Sequence, residues 1–436
     1  MRKKAFVVKT TPKYILGLAL LVPLVFYYLT VYLYAVNVPL SDDFPTVLGF
    51  LTSFFSLNSL SEKLRLLFSQ HNEYRIVLSR LVSLLVYKIN GVIDFRILIF
   101  TGNIMLLPAL YAVYSSFKKN KDKLKYFLPA VFVIAVPQFI GSIFWTTSAL
   151  QNISCLAFSL ITFALLKKEG ALRTLTAFAF ALLAVFSSGN GLLLLPAVIF
   201  FLLITKRKKT AFYWSAGTLF VLLGYFYGYT TPVHEKVYYA VNPLSIVEFF
   251  FIFLGSPVVF SVGYMKSLLG ANAELIIRSL SIISGGAVIA YFIYLTKKKY
   301  YRANPVIFIV FILFFITAAA AAVTRSGIGP MQAFASRYRI IPLFLFALVY
   351  LSFIEITKEK TAEKYYKYIL ILAVVFSIFS YIANLPAIKS GRDNLVLGIT
   401  AWQKTGTGLE RLNDDPIYAE NQFKKALEKG IYLPEK

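Results

Sequence analysis

Long apolar stretches separated by short runs of Lys and Arg organise this chain, and few folds accommodate that pattern. From Tyr14 onward the stretches are long enough to cross the ~30 Å hydrocarbon core of a bilayer at ~1.5 Å per helical residue. With 58% of residues hydrophobic, the expected fold is all-α, a polytopic membrane protein in contact with membrane lipids. The net charge of +25 first suggests a nucleic-acid partner. Its distribution argues otherwise, because the basic residues lie between apolar runs rather than on one soluble face. The clusters are Arg2-Lys3-Lys4, Lys118 to Lys125, Lys167-Lys168 with Arg173, Lys206 to Lys209, Lys297 to Arg302 and Lys358 to Lys367. By the positive-inside rule all six are expected in the cytoplasm, and no nucleic acid is expected.

Placing every cluster inside requires an even number of crossings between consecutive clusters. The stretch Arg75 to Asn90 fails as a span and reads as an interfacial helix. Leu244 to Val262, broken at Gly255-Ser256-Pro257, reads as re-entrant or juxtamembrane. About eleven spans remain, near 14–36, 95–117, 124–144, 149–166, 172–188, 190–205, 210–229, 275–296, 305–323, 340–357 and 367–386. Tyr14 to Val36 is too long for a signal-peptide core and no small-x-small cleavage site follows, so the N-terminus is expected to stay cytoplasmic. Residues 1–386 then form one transmembrane domain with an external loop over 37–94 that carries juxtamembrane helices. Residues 387–436 form a short external tail, with a small helical appendage around Glu420 to Lys429. The lone Cys155 leaves no disulfide framework and no Cys-based metal site.

Polar chemistry collects on the external side. Asp42 and Asp43 sit where the chain leaves the first span. Either can serve as a general base, and burial at the membrane boundary would raise its pKa toward the working range. Sequence alone does not assign the two roles, and Asp43 before Phe44-Pro45 also fits a helix cap. The pair could share a divalent cation, but without a further ligand set no metal or other cofactor is expected.

Gln70-His71-Asn72-Glu73-Tyr74-Arg75 places an imidazole, a carboxylate and a guanidinium within six residues. In the helix that follows, Asn72, Arg75, Ser79, Ser83 and Asn90 would form a polar stripe beside apolar Ile76, Val77, Leu81, Leu84 and Leu85. Arg80 and Lys88 read as snorkelling cations. Late in the chain, Arg325, Gln332, Arg337, Tyr338 and Arg339 surround a helix break at Gly327, Gly329 and Pro330. Arginines so clustered suit a phosphate, since the guanidinium fork makes bidentate, charge-assisted hydrogen bonds. Trp145 with Thr146, Thr147, Gln151 and Asn152 reads either as a sugar pocket or as part of an interfacial aromatic belt. His234-Glu235 is a minor further candidate.

The external acid after the first span, the long first loop and the number of spans resemble the GT-C superfamily of integral-membrane glycosyltransferases. The segments Gln70 to Ile76, Ser187-Ser188-Gly189-Asn190-Gly191 and Ala335-Ser336-Arg337-Tyr338 are similar to bacterial members that use polyprenyl-phosphate sugars. The resemblance implies sugar transfer from a lipid-phosphate donor to a glycan or lipid acceptor hydroxyl at the outer face of the cytoplasmic membrane. It implies an inverting displacement with Asp42 or Asp43 as base. His71, Glu73, Arg75, Arg325, Gln332, Arg337 and Tyr338 would bind the donor's phosphate and sugar. A lipid-linked-sugar flippase is the main competitor, but it predicts ionisable residues in the middle of spans, where this chain carries none. A surface-polysaccharide polymerase or ligase is the other.

Overall fold

The computed structural model describes residues 12–119, 121–231 and 242–434. The Arg2-Lys3-Lys4 cluster and His234-Glu235 lie outside these residues. The described chain is all-helical apart from two isolated bridges. Among the described residues, eight helices are long and apolar enough to cross a membrane: Tyr14–Tyr34, Phe95–Ser116, Lys123–Ile143, Thr146–Leu166, Val262–Lys297, Pro305–Ile328, Ser336–Ile356 and Glu359–Thr405. The expected spans at 172–188 and 190–205 are shorter helices, Ala171–Val185 and Gly191–Ile204, of 15 and 14 residues.

Local chemistry sets the helix ends. Asn304 accepts a hydrogen bond from Ile307 N–H ahead of Pro305, and Asn242 caps Leu244 N–H ahead of Pro243. Gly255 and Pro257 end the helix from Pro243 where the sequence indicated a break.

Five basic clusters meet at one end of the bundle. Lys118 Nζ donates to Ala303 O, Lys125 pairs with Glu363, Lys167 Nζ donates to Ser115 O, and Arg207 donates to Leu166 O. The acid pair and the late arginines lie at the other ends of these helices.

Two apolar cores form. One fills the bundle, built on residues such as Tyr27, Phe139, Phe163, Phe311 and Leu348. The second joins the first loop to the C-terminal segment, with Phe44, Val47, Ile93 and Phe95 against Leu409, Leu412, Phe423 and Tyr432. The residues after 386 are not detached: one helix runs unbroken from Glu359 to Thr405, and Pro416–Glu428 packs back onto the first loop.

The juxtamembrane helix Val77–Asn90 has two distinct faces. Its polar Ser79, Arg80 and Ser83 are buried, while Leu81, Leu85 and Ile89 are exposed. A helix bounded by lipid rather than water turns its apolar side outward. Arg80 therefore does not snorkel; its Nη1 donates to the carbonyls of Leu66, Leu67 and Ser69.

Candidate functional site

A tight turn separates the two acids. Ser41 sits at φ +50°, and Asp43 N–H donates to Leu40 O at 3.0 Å. The Asp43 side chain turns inward and is 1% exposed. Its Oδ1 accepts from the N–H and the hydroxyl of Thr147 at 2.8 and 2.6 Å, and its Oδ2 accepts from Leu40 N–H at 3.1 Å. Burial pushes the Asp43 carboxyl up to about 7, against the pull of those hydrogen bonds. Asp42 faces the other way, into a cavity of about 620 Å³. Burial raises its carboxyl above the ordinary aspartate range, while His71 and Arg337 draw it down and Glu73 raises it further.

His71 Nε2 lies 3.8 Å from Asp42 Oδ1. The imidazole is fixed by a turn in which His71 and Tyr74 exchange backbone hydrogen bonds at 2.7 and 2.9 Å, with Asn72 at φ +48°. Burial lowers the His71 pKa, Asp42 opposes that shift and Arg80 adds to it. Glu73 pairs with Arg325, both mostly buried. Tyr74 packs where Gly189 leaves room: a Cβ at residue 189 would lie 2.4 Å from its ring.

Of the expected site residues, Asp42, Glu73, Arg325, Gln332, Arg337 and Tyr338 line this one cavity. Three do not. Asp43 is locked behind the wall, and His71 stands beside Asp42 without lining the cavity. Arg75 is committed to protein carbonyls: Nε donates to Tyr225 O at 2.6 Å, Nη2 to Tyr227 O at 2.6 Å and Nη1 to Phe68 O. It closes the C-terminal end of the helix Lys208–Phe226, where free carbonyls and the helix dipole favour a cation. Arg339 is equally occupied, donating to the carbonyls of Val259, Phe260 and Phe334.

Arg337 differs from both. Among the described residues it pairs with no carboxylate, and its guanidinium stacks over Tyr338 at 5.1 Å. Its backbone is anchored, since Ser142 Oγ donates to Arg337 O and Gly141 N–H donates to Ser336 Oγ. The lining also holds Trp145, Thr147, Gln151, Asn152, Ser188 and Asn190, which are uncharged and carry hydrogen-bonding groups. Thr146, expected with this group, is buried away from the cavity. Leu192, Leu193, Phe226, Ile328 and Ile341 add apolar side chains to the lining.

Thr317, Ala320, Ala321 and Thr324 also line the cavity and escaped sequence reasoning. Their 3–4 spacing marks a single helix face of small and hydroxyl side chains inside an otherwise bulky span, which is the signal that could have found them. Among the described residues, no three His, Cys, Asp or Glu side chains gather as metal ligands would. The cavity combines carboxylates, guanidinium groups, neutral hydrogen-bonding side chains and apolar ones. Comparison of the chain with family models, curated proteins and solved structures gave no match.

Proposed function

We propose that this chain is a GT-C-like glycosyltransferase that moves a sugar from a polyprenyl-phosphate carrier to an acceptor hydroxyl on a glycan or lipid. One observation supports the reading: Asp42, with His71 at 3.8 Å, and Arg337, which pairs with no carboxylate among the described residues, line one cavity together with neutral polar and apolar side chains.

The chemistry follows from those positions. The acceptor oxygen attacks the anomeric carbon as its proton passes to the Asp42 carboxylate. The bond from that carbon to the phosphate oxygen breaks, with its electron pair retained on the phosphate and inversion at carbon. Arg337 neutralises the departing phosphate, whose charge is already stable without a protonating acid. Arg325, paired with Glu73, shapes the wall rather than adding net charge. Asp43 is assigned to hold Asp42 and the Trp145 loop in register, through Thr147.

In this reading Ala171–Val185, Gly191–Ile204 and Lys208–Phe226 cross beside the eight long apolar helices while Pro243–Val258 does not, for eleven crossings. With the basic ends inside, an odd count puts the N-terminus in the cytoplasm and the cavity and C-terminus outside the cytoplasmic membrane. The test is transfer of labelled hexose from its polyprenyl phosphate in reconstituted vesicles. Asp42→Asn should abolish transfer and keep donor binding. Lipid translocation without transfer in every form would replace this reading with a flippase.

A further inference from the structure

The residue that aims Asp42 is held from the far end of the chain. Ser41 lies in the left-handed region at φ +50°, a conformation that L side chains other than Asn and Asp adopt rarely. Both of its backbone polar groups are bound by the C-terminal segment. Ser41 N–H donates to Leu412 O at 2.7 Å, and Ser41 O accepts from Asn413 Nδ2 at 3.0 Å. Leu409 and Leu412 are buried, which fixes Asn413 against the first loop. Around this point Tyr432 OH donates to Asn37 O at 2.6 Å, Ile93 N–H donates to Ile431 O at 2.8 Å, and Phe423 packs on Phe44.

We propose that Asn413 is a positioning residue, clamping Ser41 so that Asp42 keeps its direction into the cavity. The proposal rests on the reading of Asp42 as the base. Left-handed Ser41 is the pivot: if it relaxes to an ordinary turn, the Asp42 side chain swings off the line to Arg337. The C-terminal segment is thereby part of the active-site framework and not a tail.

Asn413→Asp separates this role from local folding. Asn413 Oδ1 also accepts from Asp415 N–H at 2.8 Å, opening the turn into the helix at Pro416. An aspartate keeps that acceptor but sets an oxygen in place of the donor to Ser41 O, which is then left with Phe44 N–H at 3.2 Å and a repelling neighbour. Hydrogen–deuterium exchange of the whole protein should quicken at residues 40–46 and stay unchanged in the membrane helices. The transfer rate constant should fall about ten- to a hundredfold with KM for the donor unchanged. Asn413→Gln, which retains the amide donor, should recover part of the rate. Unchanged exchange at 40–46, faster exchange throughout the bundle, or undiminished turnover would each overturn the proposal. If the unmodified protein transfers no sugar, the glycosyltransferase reading fails by itself, and the exchange result alone decides whether Asn413 holds Asp42.

Discussion

Asp43 and Thr147 are joined twice, through the N–H and the hydroxyl of Thr147 to one carboxylate oxygen, and this link sorts two adjacent acids into different roles. If the proposed function holds, Asp42→Asn removes the base from the cavity, and it disturbs no hydrogen bond of the Asp42 side chain within the protein. Transfer should fall by roughly 10²–10⁴ with thermal stability and donor binding intact. Asp43→Asn acts differently, because its new amide must point N–H at either Leu40 N–H or the Thr147 donors. It should lower stability by roughly 1–3 kcal/mol, and activity with it. Paired measurements of unfolding midpoint and transfer rate distinguish the two.

The pH dependence of stability follows from the buried Asp43. In the folded protein its carboxyl is pushed up to about 7 from an ordinary value of 3.8, so the native state keeps a proton that the unfolded chain releases. Its contribution is fully present below the unfolded value and is lost as pH rises through the folded one. The unfolding midpoint should decline between about pH 4 and pH 7, and Asp43→Asn should flatten that decline. A midpoint that rises over this window in the unmodified protein would contradict the assignment, once scanned beside Asp42→Asn to remove its smaller share.

For turnover, the base must be ionised. Burial raises the Asp42 carboxyl, with His71 and Arg337 pulling it down and Glu73 pushing it up. The acidic limb of the transfer profile should therefore lie above the ordinary aspartate value. Arg337→Gln removes one of the charges that favour ionisation and should move that limb to higher pH. Profiles of kcat/KM across the acidic range would show the displacement.

Two arginines that look alike in sequence should respond oppositely. Arg337→Ala leaves no carbonyl without its donor, so it should weaken donor binding by about ten- to a hundredfold at unchanged stability. Arg75→Ala strips the donors from Tyr225 O, Tyr227 O and Phe68 O. Leaving those acceptors unsatisfied should destabilise the protein by roughly 1–3 kcal/mol, visible in the unfolding midpoint before any effect on KM.

The membrane architecture was legible because lipid imposes a length and a polarity on each stretch, and basic residues mark the ends. That Asp42, Gln332, Arg337 and Tyr338 line one cavity was legible as composition, since residue type and position at the ends of apolar stretches singled them out. What stayed hidden depends on partners far along the chain. Asp43 is silenced by Thr147, 104 residues away, and Arg75 by the end of a helix 150 residues away. In the helix Val77–Asn90 the polar Ser79 and Ser83 are buried while Leu81 and Leu85 are exposed, the split that fits a helix whose apolar face meets lipid. Residues 387–436 looked like a tail because their few apolar side chains make a core only with Phe44, Val47 and Phe95.

Gly189 gives the most direct test of cavity shape. It is flexible in no useful sense here, because its backbone requires no left-handed angle; its value is the missing side chain. A Cβ would lie 2.4 Å from one carbon of the Tyr74 ring and 2.5 Å from the next, closer than van der Waals contact permits. Tyr74 cannot retreat freely, since its own N–H and C=O are tied to His71 in the turn that also presents Glu73 to Arg325. Gly189→Ala should therefore displace the turn and, through His71 and Glu73, the wall opposite Arg337. The bundle is untouched by this change, so the protein should insert and unfold nearly as before while transfer falls at least about tenfold. Combining it with Tyr74→Ala, which removes the obstructing ring, should restore part of the rate; a double variant no better than Gly189→Ala alone would show that the clash is not the cause.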